Sequence, residues 1–164
     1  MNKIIKFDRC IYCFELKENP KAALGKVPGE VSGACRFCGY EDGYCSPRAH
    51  WLSPGTILKG RYMVGKLLKE KKDELVYLGW DFAQEYKVEI HEYYPSEMLQ
   101  RDITVSEQAN IRAGFEEKME IGKQEFFDKA KLFYKCTSRV EELKMDFFVR
   151  NQTCYYVRKH EENR

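Results

Sequence analysis

The sequence predicts an α+β fold, in which a small cysteine-rich unit precedes a five-stranded antiparallel sheet with one long helix. Two CxxC pairs lie within the first fifty residues, a region that otherwise reads as loop. Several segments after residue 51 alternate apolar and polar side chains, as half-buried strands do. One later segment has apolar residues at spacings of three and four, which is the period of a helix. This order of strands and helix favours a sheet with one helix packed on it.

The composition limits the classes of function. The chain has 164 residues and a formal charge of +2, so no strong field of one sign attracts nucleic acid or an anionic membrane. The ribbon region sets eight basic residues against six acidic ones, which makes nucleic-acid binding unlikely on charge grounds. No apolar run approaches the length of a membrane span, and the amino terminus lacks a signal-peptide core. We therefore expect a cytoplasmic protein without a membrane partner.

The chain divides into residues 1–50 and residues 51–164. The boundary stretch reads CSPRAHWLSPGT and holds two prolines and a Ser-Pro-Gly turn signal. After it, alternating segments predict five strands, near residues 57–68, 75–82, 86–93, 140–149 and 153–160. The Arg-Asn-Gln sequence at 150–152 predicts the turn between the last two strands.

A single helix is predicted over residues 107–135. Its apolar positions recur at spacings of four and three: Ile111, Phe115, Met119, Gly122, Phe126, Ala130 and Phe133. Gly122 inside this stripe marks either a break or a close contact. The stripe itself is either core or a docking surface, and core is the commoner use of such stripes.

The cysteine spacing predicts a metal site. The first pair is Cys10 and Cys13, the second is Cys35 and Cys38, and each pair can present two thiolates from one tight turn. Four thiolates form a tetrahedral site that suits Zn²⁺ and leaves no open position for water, so the predicted zinc ribbon is structural. A redox role is disfavoured because no βαβ pattern surrounds either pair. Cys45 and His50 lie just beyond as substitute ligands, although a free thiol and a linker histidine are the simpler interpretation.

Much of the second half resembles the N-lobe of bacterial serine/threonine protein kinases that carry an N-terminal zinc ribbon. In that family a run PPGT-L-GRY-VG--LG-GGFG-TYLG-D leads into KVAIKEYFPS---RD. This chain has LSPGTILKGRYMVGKLLKEKKDELVYLGWD followed by YKVEIHEYYPSEMLQRD. EFFDKAKLFYK is similar to the family's C-helix, and VEELKMDFFVRNQTCYYV is similar to its fourth and fifth strands. The similarity extends over about 110 residues and implies a five-stranded kinase N-lobe.

The resemblance implies that the glycine-rich loop is degenerate. In kinases three glycines let backbone N–H groups close over the ATP phosphates. Their positions are held here by Lys69, Lys71 and Glu74. The side chains would hold the loop away from the phosphates, and the carboxylate would repel them.

The resemblance also places other residues where kinases hold nucleotide-binding groups. The third-strand lysine aligns with His91, and the helix glutamate that pairs with it aligns with Lys129. The alanine that packs on adenine aligns with Glu89. We therefore interpret His91 as a relic position, since a lone histidine is seldom catalytic and no second ligand has suitable spacing for a metal.

These substitutions lead us to expect a pseudokinase-like protein that is not an enzyme and binds ATP weakly or not at all. The 164 residues contain no H-R-D-x-x-x-x-N loop and no D-F-G, the motifs that supply the base and the magnesium ligands. The favoured function is a non-catalytic protein-interaction or regulatory module with an unidentified protein partner. The first alternative is a nucleotide-responsive switch, or a half-kinase completed by a partner chain. The second is nucleic-acid binding through the ribbon.

Overall fold

The fold is α+β, as the sequence predicts. The computed structural model describes residues 7–17, 33–41, 44, 46–137 and 145–161. Within these ranges the strands are β1 (Ile57–Leu58), β2 (Tyr62–Lys71), β3 (Glu74–Asp81), β4 (Tyr86–Tyr93), β5 (Leu99–Gln100), β6 (Asn110–Ile111), β7 (Asp146–Arg150) and β8 (Thr153–Lys159). One helix, α1 (Glu116–Thr137), lies between β6 and β7.

The main sheet has six antiparallel strands in the order β1-β2-β3-β4-β8-β7, and β5 pairs with β6 in a separate ribbon. β2, β3 and β4 follow one another as a meander. β8 then pairs with β4, and β7 forms the edge next to β8. The chain segment that contains α1 therefore leads from the central strand β4 to the edge strand β7. The predicted turn between the last strands is present, with Asn151 and Gln152 both at positive φ, as a two-residue hairpin requires.

The main sheet has one strand more than the five predicted. The segment 57–68 is not continuous, because Lys59 and Gly60 adopt φ values of 56° and 62°. This turn folds Ile57 and Leu58 back so that they pair with Met63 and Tyr62. Periodicity alone gave no sign of the break, since both sides of it alternate.

The helix begins later than the predicted residue 107. Asn110 and Ile111 pair with Gln100 and Leu99, and Gly114 follows with a φ of 89°, so α1 starts only at Glu116. Gly122 marks a close contact rather than a break, because a methyl group there would overlap the Tyr93 ring.

The helix stripe packs on the sheet over most of its length. Met119 and Ala130 are buried, and the Phe126 ring lies 5.2 Å from that of Tyr156. Phe133, the last member of the predicted stripe, is 60% exposed instead of lying in the core.

A buried ion pair links β4 to the segment that follows it. Both side chains, Glu92 and Arg101, have 0% exposure, and the guanidinium donates to both carboxylate oxygens at 2.7 and 2.8 Å. The hydroxyls of Tyr77 and Tyr155 donate to the same carboxylate. Arg101 also donates to the carbonyl of His50, so the network joins β3, β4 and β8 to the chain before β1. Such a pair requires all its partners, since two desolvated charges are costly unless their hydrogen bonds are complete.

Some predicted features can be compared only with the described part of the chain. Among the described residues, no helix combines the length and the apolar character that crossing a membrane would require. The strand predicted at 140–149 is observed from Asp146, and its first five positions, 140–144, lie outside the described residues. Cys45 also lies outside them.

We expect Arg101→Met to lower the free energy of unfolding by about 3–5 kcal/mol, because Glu92 would be left charged and buried without its cation. Urea unfolding followed by circular dichroism measures the loss. Arg112→Met is the matched control, because Arg112 is exposed on the neighbouring ribbon, and its effect should stay within about 0.5 kcal/mol. Equal losses in the two variants would contradict the importance of the buried pair.

Candidate functional site

Each CxxC pair forms a tight turn with the same hydrogen bonds. In the first cysteine loop (residues 9–16), the Phe14 amide donates to the Cys10 carbonyl at 2.9 Å. In the second cysteine loop (residues 35–40), the Gly39 amide donates to the Cys35 carbonyl at 2.8 Å. In both loops the amide two residues after the first cysteine donates to its Sγ at 3.4 Å. These N–H···S bonds fix the direction of the first sulfur of each loop.

The two loops bring the four predicted ligands together. The Sγ atoms of Cys10, Cys13, Cys35 and Cys38 all lie within 4.8 Å of one another. The nearest pairs are Cys10 with Cys38 at 3.8 Å and Cys13 with Cys35 at 3.7 Å, far beyond the length of a disulfide. The cluster is compatible with metal binding, as the spacing of the cysteines predicts.

The pKa values of Cys13, Cys35 and Cys38 are shifted in different directions. Burial raises the pKa of Cys13 and Cys38. For Cys35 burial has the same direction, but the backbone N–H groups of Cys38 and Phe37 outweigh it and lower the pKa to about 7. Close thiols of this kind resist losing every proton together unless a cation takes the place of the protons.

His50 does not join this cluster within the described part of the chain. Its Nε2 atom lies 3.1 Å from the Glu70 carboxylate, and its ring stacks on Tyr94 at 5.3 Å. The Trp51 indole donates to the same carboxylate at 2.9 Å. His50 therefore belongs to the contacts between the boundary segment and β2.

The first cysteine loop packs directly on the sheet. Phe14 has 0% exposure and forms a small core with Leu78 and Trp80 of β3. The Lys66 amide of β2 donates to the Tyr12 carbonyl at 2.9 Å. The loop approaches β2 so closely that a Cβ on Gly65 would lie 2.7 Å from the Tyr12 carbonyl oxygen and would overlap the Phe14 ring.

Charged groups add to this contact. The Glu15 carboxylate lies 2.5 Å from the Lys87 ammonium of β4. The Arg9 guanidinium lies over the Trp80 ring, 4.2 Å from its centroid. The loop thus contacts both β3 and β4 on one face of the sheet.

That face, here called the His91 face, carries three of the six nucleotide-site positions suggested by the sequence: Glu74, Glu89 and His91. The register pairs Val76 with His91, Leu78 with Glu89 and Trp80 with Lys87, and alternation places these side chains on one side. Its members on these two strands are Glu74, Val76, Leu78 and Trp80 on β3, with Lys87, Glu89, His91 and Tyr93 on β4. The Glu92 network lies on the opposite face.

His91 is buried in a cluster of its own. Its Nδ1 atom lies 2.5 Å from the Glu74 carboxylate, and its ring stacks on Tyr156 with centroids 4.2 Å apart. Burial raises the pKa of Glu74, but the His91 hydrogen bond and charge outweigh it, and the net shift is downward. The Nε2 atom of His91 is buried and has no hydrogen-bond partner among the described residues. His91 is therefore paired with the carboxylate of Glu74, the first residue of β3. The kinase resemblance instead placed His91 opposite Lys129, the residue at the position of the helix glutamate.

Of the other predicted positions, Glu89 lies on the His91 face, and Lys69, Lys71 and Lys129 are dispersed. Lys69 and Lys71 are exposed near the β2–β3 hairpin, and Lys71 lies 3.9 Å from Glu74. Lys129 is exposed on α1. Glu89 is paired with Arg158 at 2.6 Å.

Sequence analysis missed Phe14, Glu15 and Lys87 as contributors to this region. Phe14 has a φ of 60°, a conformation that favours glycine, and the equivalent residue in the second loop is Gly39 with a φ of 77°. The second loop has Cys-Gly at this point, and the first has Cys-Phe. This difference was the sequence signal that the Phe14 side chain makes a contact.

Comparison with known proteins gave one relevant similarity. No protein-family model matches the chain, and no curated protein matches it either. A solved structure described as "PpkA-294 apo form" is similar, with a TM-score of 0.57 and 21% sequence identity. The similarity covers 68% of this chain and 39% of that chain, so this chain spans about two fifths of the neighbour. PpkA is a bacterial serine/threonine kinase, and at this identity the similarity shows a shared fold.

This neighbour contradicts the expectation that the chain is not an enzyme. The fold it shares is that of a kinase fragment, which points to a kinase-like protein. The expectation was wrong because it inferred a function for the whole protein from substitutions at single positions.

We expect Glu74→Gln to destabilise the protein by about 1–3 kcal/mol near neutral pH, because a half-buried carboxylate that is hydrogen-bonded to His91 is lost. The folded-state pKa of Glu74 is lowered, so its contribution is present above the unfolded value of about 4.3 and is lost as pH falls through the folded pKa. Urea midpoints of both proteins between pH 7 and pH 3 measure this. Glu97→Gln, at an exposed position, is the control, and a difference for Glu74→Gln that does not change with pH would contradict the pairing.

Gly65→Ala should destabilise the protein by about 1–3 kcal/mol, because the added methyl group overlaps Phe14 and the Tyr12 carbonyl. The Lys66 amide should also lose its protection from hydrogen exchange. Gly33→Ala is the matched control, since its Cβ would meet open space. Unchanged protection at Lys66 would show that the first cysteine loop does not approach β2 this closely.

Proposed function

We propose that this chain forms the N-lobe of a kinase-like protein, joined to a structural zinc ribbon, and that it acts through contact with a protein partner. The observation that carries the proposal is the strand order β1-β2-β3-β4-β8-β7 with α1 inserted after β4. The segments that resemble the kinase N-lobe supply β2, β3, β4, α1, β7 and β8 in that order. The similarity to a kinase fragment supports the same interpretation.

The donor set supports zinc as the metal. Four thiols from two equivalent turns offer a closed tetrahedral S₄ site, which Zn²⁺ occupies without needing a further ligand. Such a site has no position for a reacting water, so its role is to hold the two cysteine loops together. Because the first loop packs on β3 and β4, zinc would also fix that loop against the lobe.

The hairpin between β2 and β3 is poorly suited to hold a nucleotide phosphate, and this favours a role in protein contact. It is paired up to Lys71 and Glu74, so only two residues connect the strands and the paired backbone groups face each other. A phosphate cradle needs backbone N–H groups that are free to converge on a ligand. The Glu74 carboxylate, held by His91, adds a negative charge at the same place.

One observation keeps a nucleotide-responsive switch as a second candidate. Lys69 and Lys71 are both exposed near the hairpin and could attract a phosphate as point charges. In that function a partner chain would complete the nucleotide site. A nucleotide titration separates the two proposals.

The zinc proposal predicts one zinc ion per chain, bonded at about 2.3 Å to each of Cys10, Cys13, Cys35 and Cys38. Metal analysis of protein purified without chelator measures the ratio. Cys10→Ser should lose the zinc while residues 56–160 remain folded, because the main sheet has its own core. Cys154→Ser, at a buried thiol within that core, is the control and should keep the zinc. Full zinc content in Cys10→Ser would contradict the ligand set.

Calorimetry with Mg-ATP tests the choice between the two candidates. The partner-binding proposal predicts a dissociation constant no tighter than ~1 mM, because the hairpin offers no cradle. Tighter binding that weakens when Lys69 and Lys71 are changed to alanine would replace it with the nucleotide-responsive switch. Lys118→Ala, at an exposed position on α1, controls for a general loss of positive charge.

A further inference from the structure

The first cysteine loop covers part of the His91 face. Phe14 stacks on Trp80 with ring centroids 6.3 Å apart and packs on Leu78, which lies opposite Glu89 in the register. The kinase resemblance assigns the position of Glu89 to the residue that packs on adenine. The loop therefore lies beside the position that a kinase N-lobe uses for its ligand.

Few contacts hold this loop on the sheet. Among the described residues they are the Phe14 side chain, the hydrogen bond from Lys66 to Tyr12, the pairing of Glu15 with Lys87, and the Arg9 guanidinium over the Trp80 ring. Phe14 is also strained, since a bulky residue at positive φ is unfavourable and persists only where its surroundings fix it. So short a loop has little core of its own, and the cysteine cluster is what gives it a defined shape.

We propose that the metal in the cysteine cluster controls access to the His91 face. With the metal bound, the loop is ordered in advance and Phe14 stays on Leu78 and Trp80. Without the metal, ordering the loop on the sheet costs conformational entropy that the metal no longer offsets. The loop then dissociates from the sheet. The proposal rests on the zinc site proposed above, and it adds that metal loss uncovers a binding surface without unfolding the lobe.

The uncovered surface defines the chemistry of the partner. Leu78 and Trp80 form an apolar patch, and the Lys87 ammonium lies beside it on the neighbouring strand. In this chain Phe14 covers the patch together with Phe7 and the Arg9 guanidinium, and the Lys87 ammonium pairs with Glu15. The partner that fits is therefore a protein segment with an aromatic residue followed by an acidic one, for which Phe14 and Glu15 are the internal substitute.

The test uses the full chain with Trp51→Phe, which leaves Trp80 as the single tryptophan. Zinc is first quantified and then removed with a chelator. We expect a several-fold rise in quenching of Trp80 fluorescence by acrylamide and loss of exchange protection at the Lys66 amide. The amides of β4 and β8, where Glu92 pairs with Tyr155, should stay protected. Phe14→Ala should expose Trp80 with the zinc still bound, and Leu132→Ala, at an exposed apolar residue on α1, is its control.

A labelled peptide of residues 7–17, with serine in place of its cysteines, probes the uncovered surface. It should bind the metal-free protein and not the zinc form, and its version carrying Phe14→Ala should bind more weakly. Unchanged Trp80 quenching after zinc removal, or loss of protection throughout β4 and β8, would overturn the control by metal. Equal peptide binding to both forms, or to neither, would overturn the assignment of the surface. Absence of zinc at the start would instead count against the proposed zinc site.

Discussion

The rest of the structure depends on the buried pairing of Glu92 with Arg101. These two charges have no access to water, and they are satisfied only when β3, β4, β8 and the chain at His50 all contribute hydrogen bonds at once. This requirement selects a single arrangement of those elements, because any shift would leave a charge unpaired in the core. Alternation along β4 then determines the other face, since a strand with Glu92 directed into the core presents His91 on the opposite side.

The fold alone does not indicate the charges and apolar side chains that the His91 face carries. Its neighbour in fold is a kinase fragment, yet here the face carries two carboxylates, each held by a cationic or imidazole partner. Glu74 with His91 and Glu89 with Arg158 neutralise the charge within the lobe. Aromatic and apolar side chains occupy the space between them, and the first cysteine loop lies on top.

The sequence predicted the elements better than it predicted their contacts. Alternation identified β3, β4 and β8 almost to the residue, and the CxxC spacing identified the cysteine cluster, because both signals are local. The strand break at Lys59 depends on a positive φ that lysine seldom adopts, so the residue type gave no sign of it. The sequence analysis assigned no role to Glu92, and its partner Arg101 lies in an irregular segment, so no local pattern linked the two. The pairing of Glu74 with His91 required the β3–β4 register, which no local pattern contains.

The cysteine cluster and the sheet form one packed unit, because the first cysteine loop packs on the His91 face. A crystal structure of protein purified with zinc, with data collected at the zinc absorption edge, tests it most directly. We expect one anomalous peak bonded to all four cysteine sulfurs, with the Phe14 ring against Leu78 and Trp80. Four sulfurs without a shared metal peak, or a zinc-bound first cysteine loop lying away from β3 and β4, would contradict it.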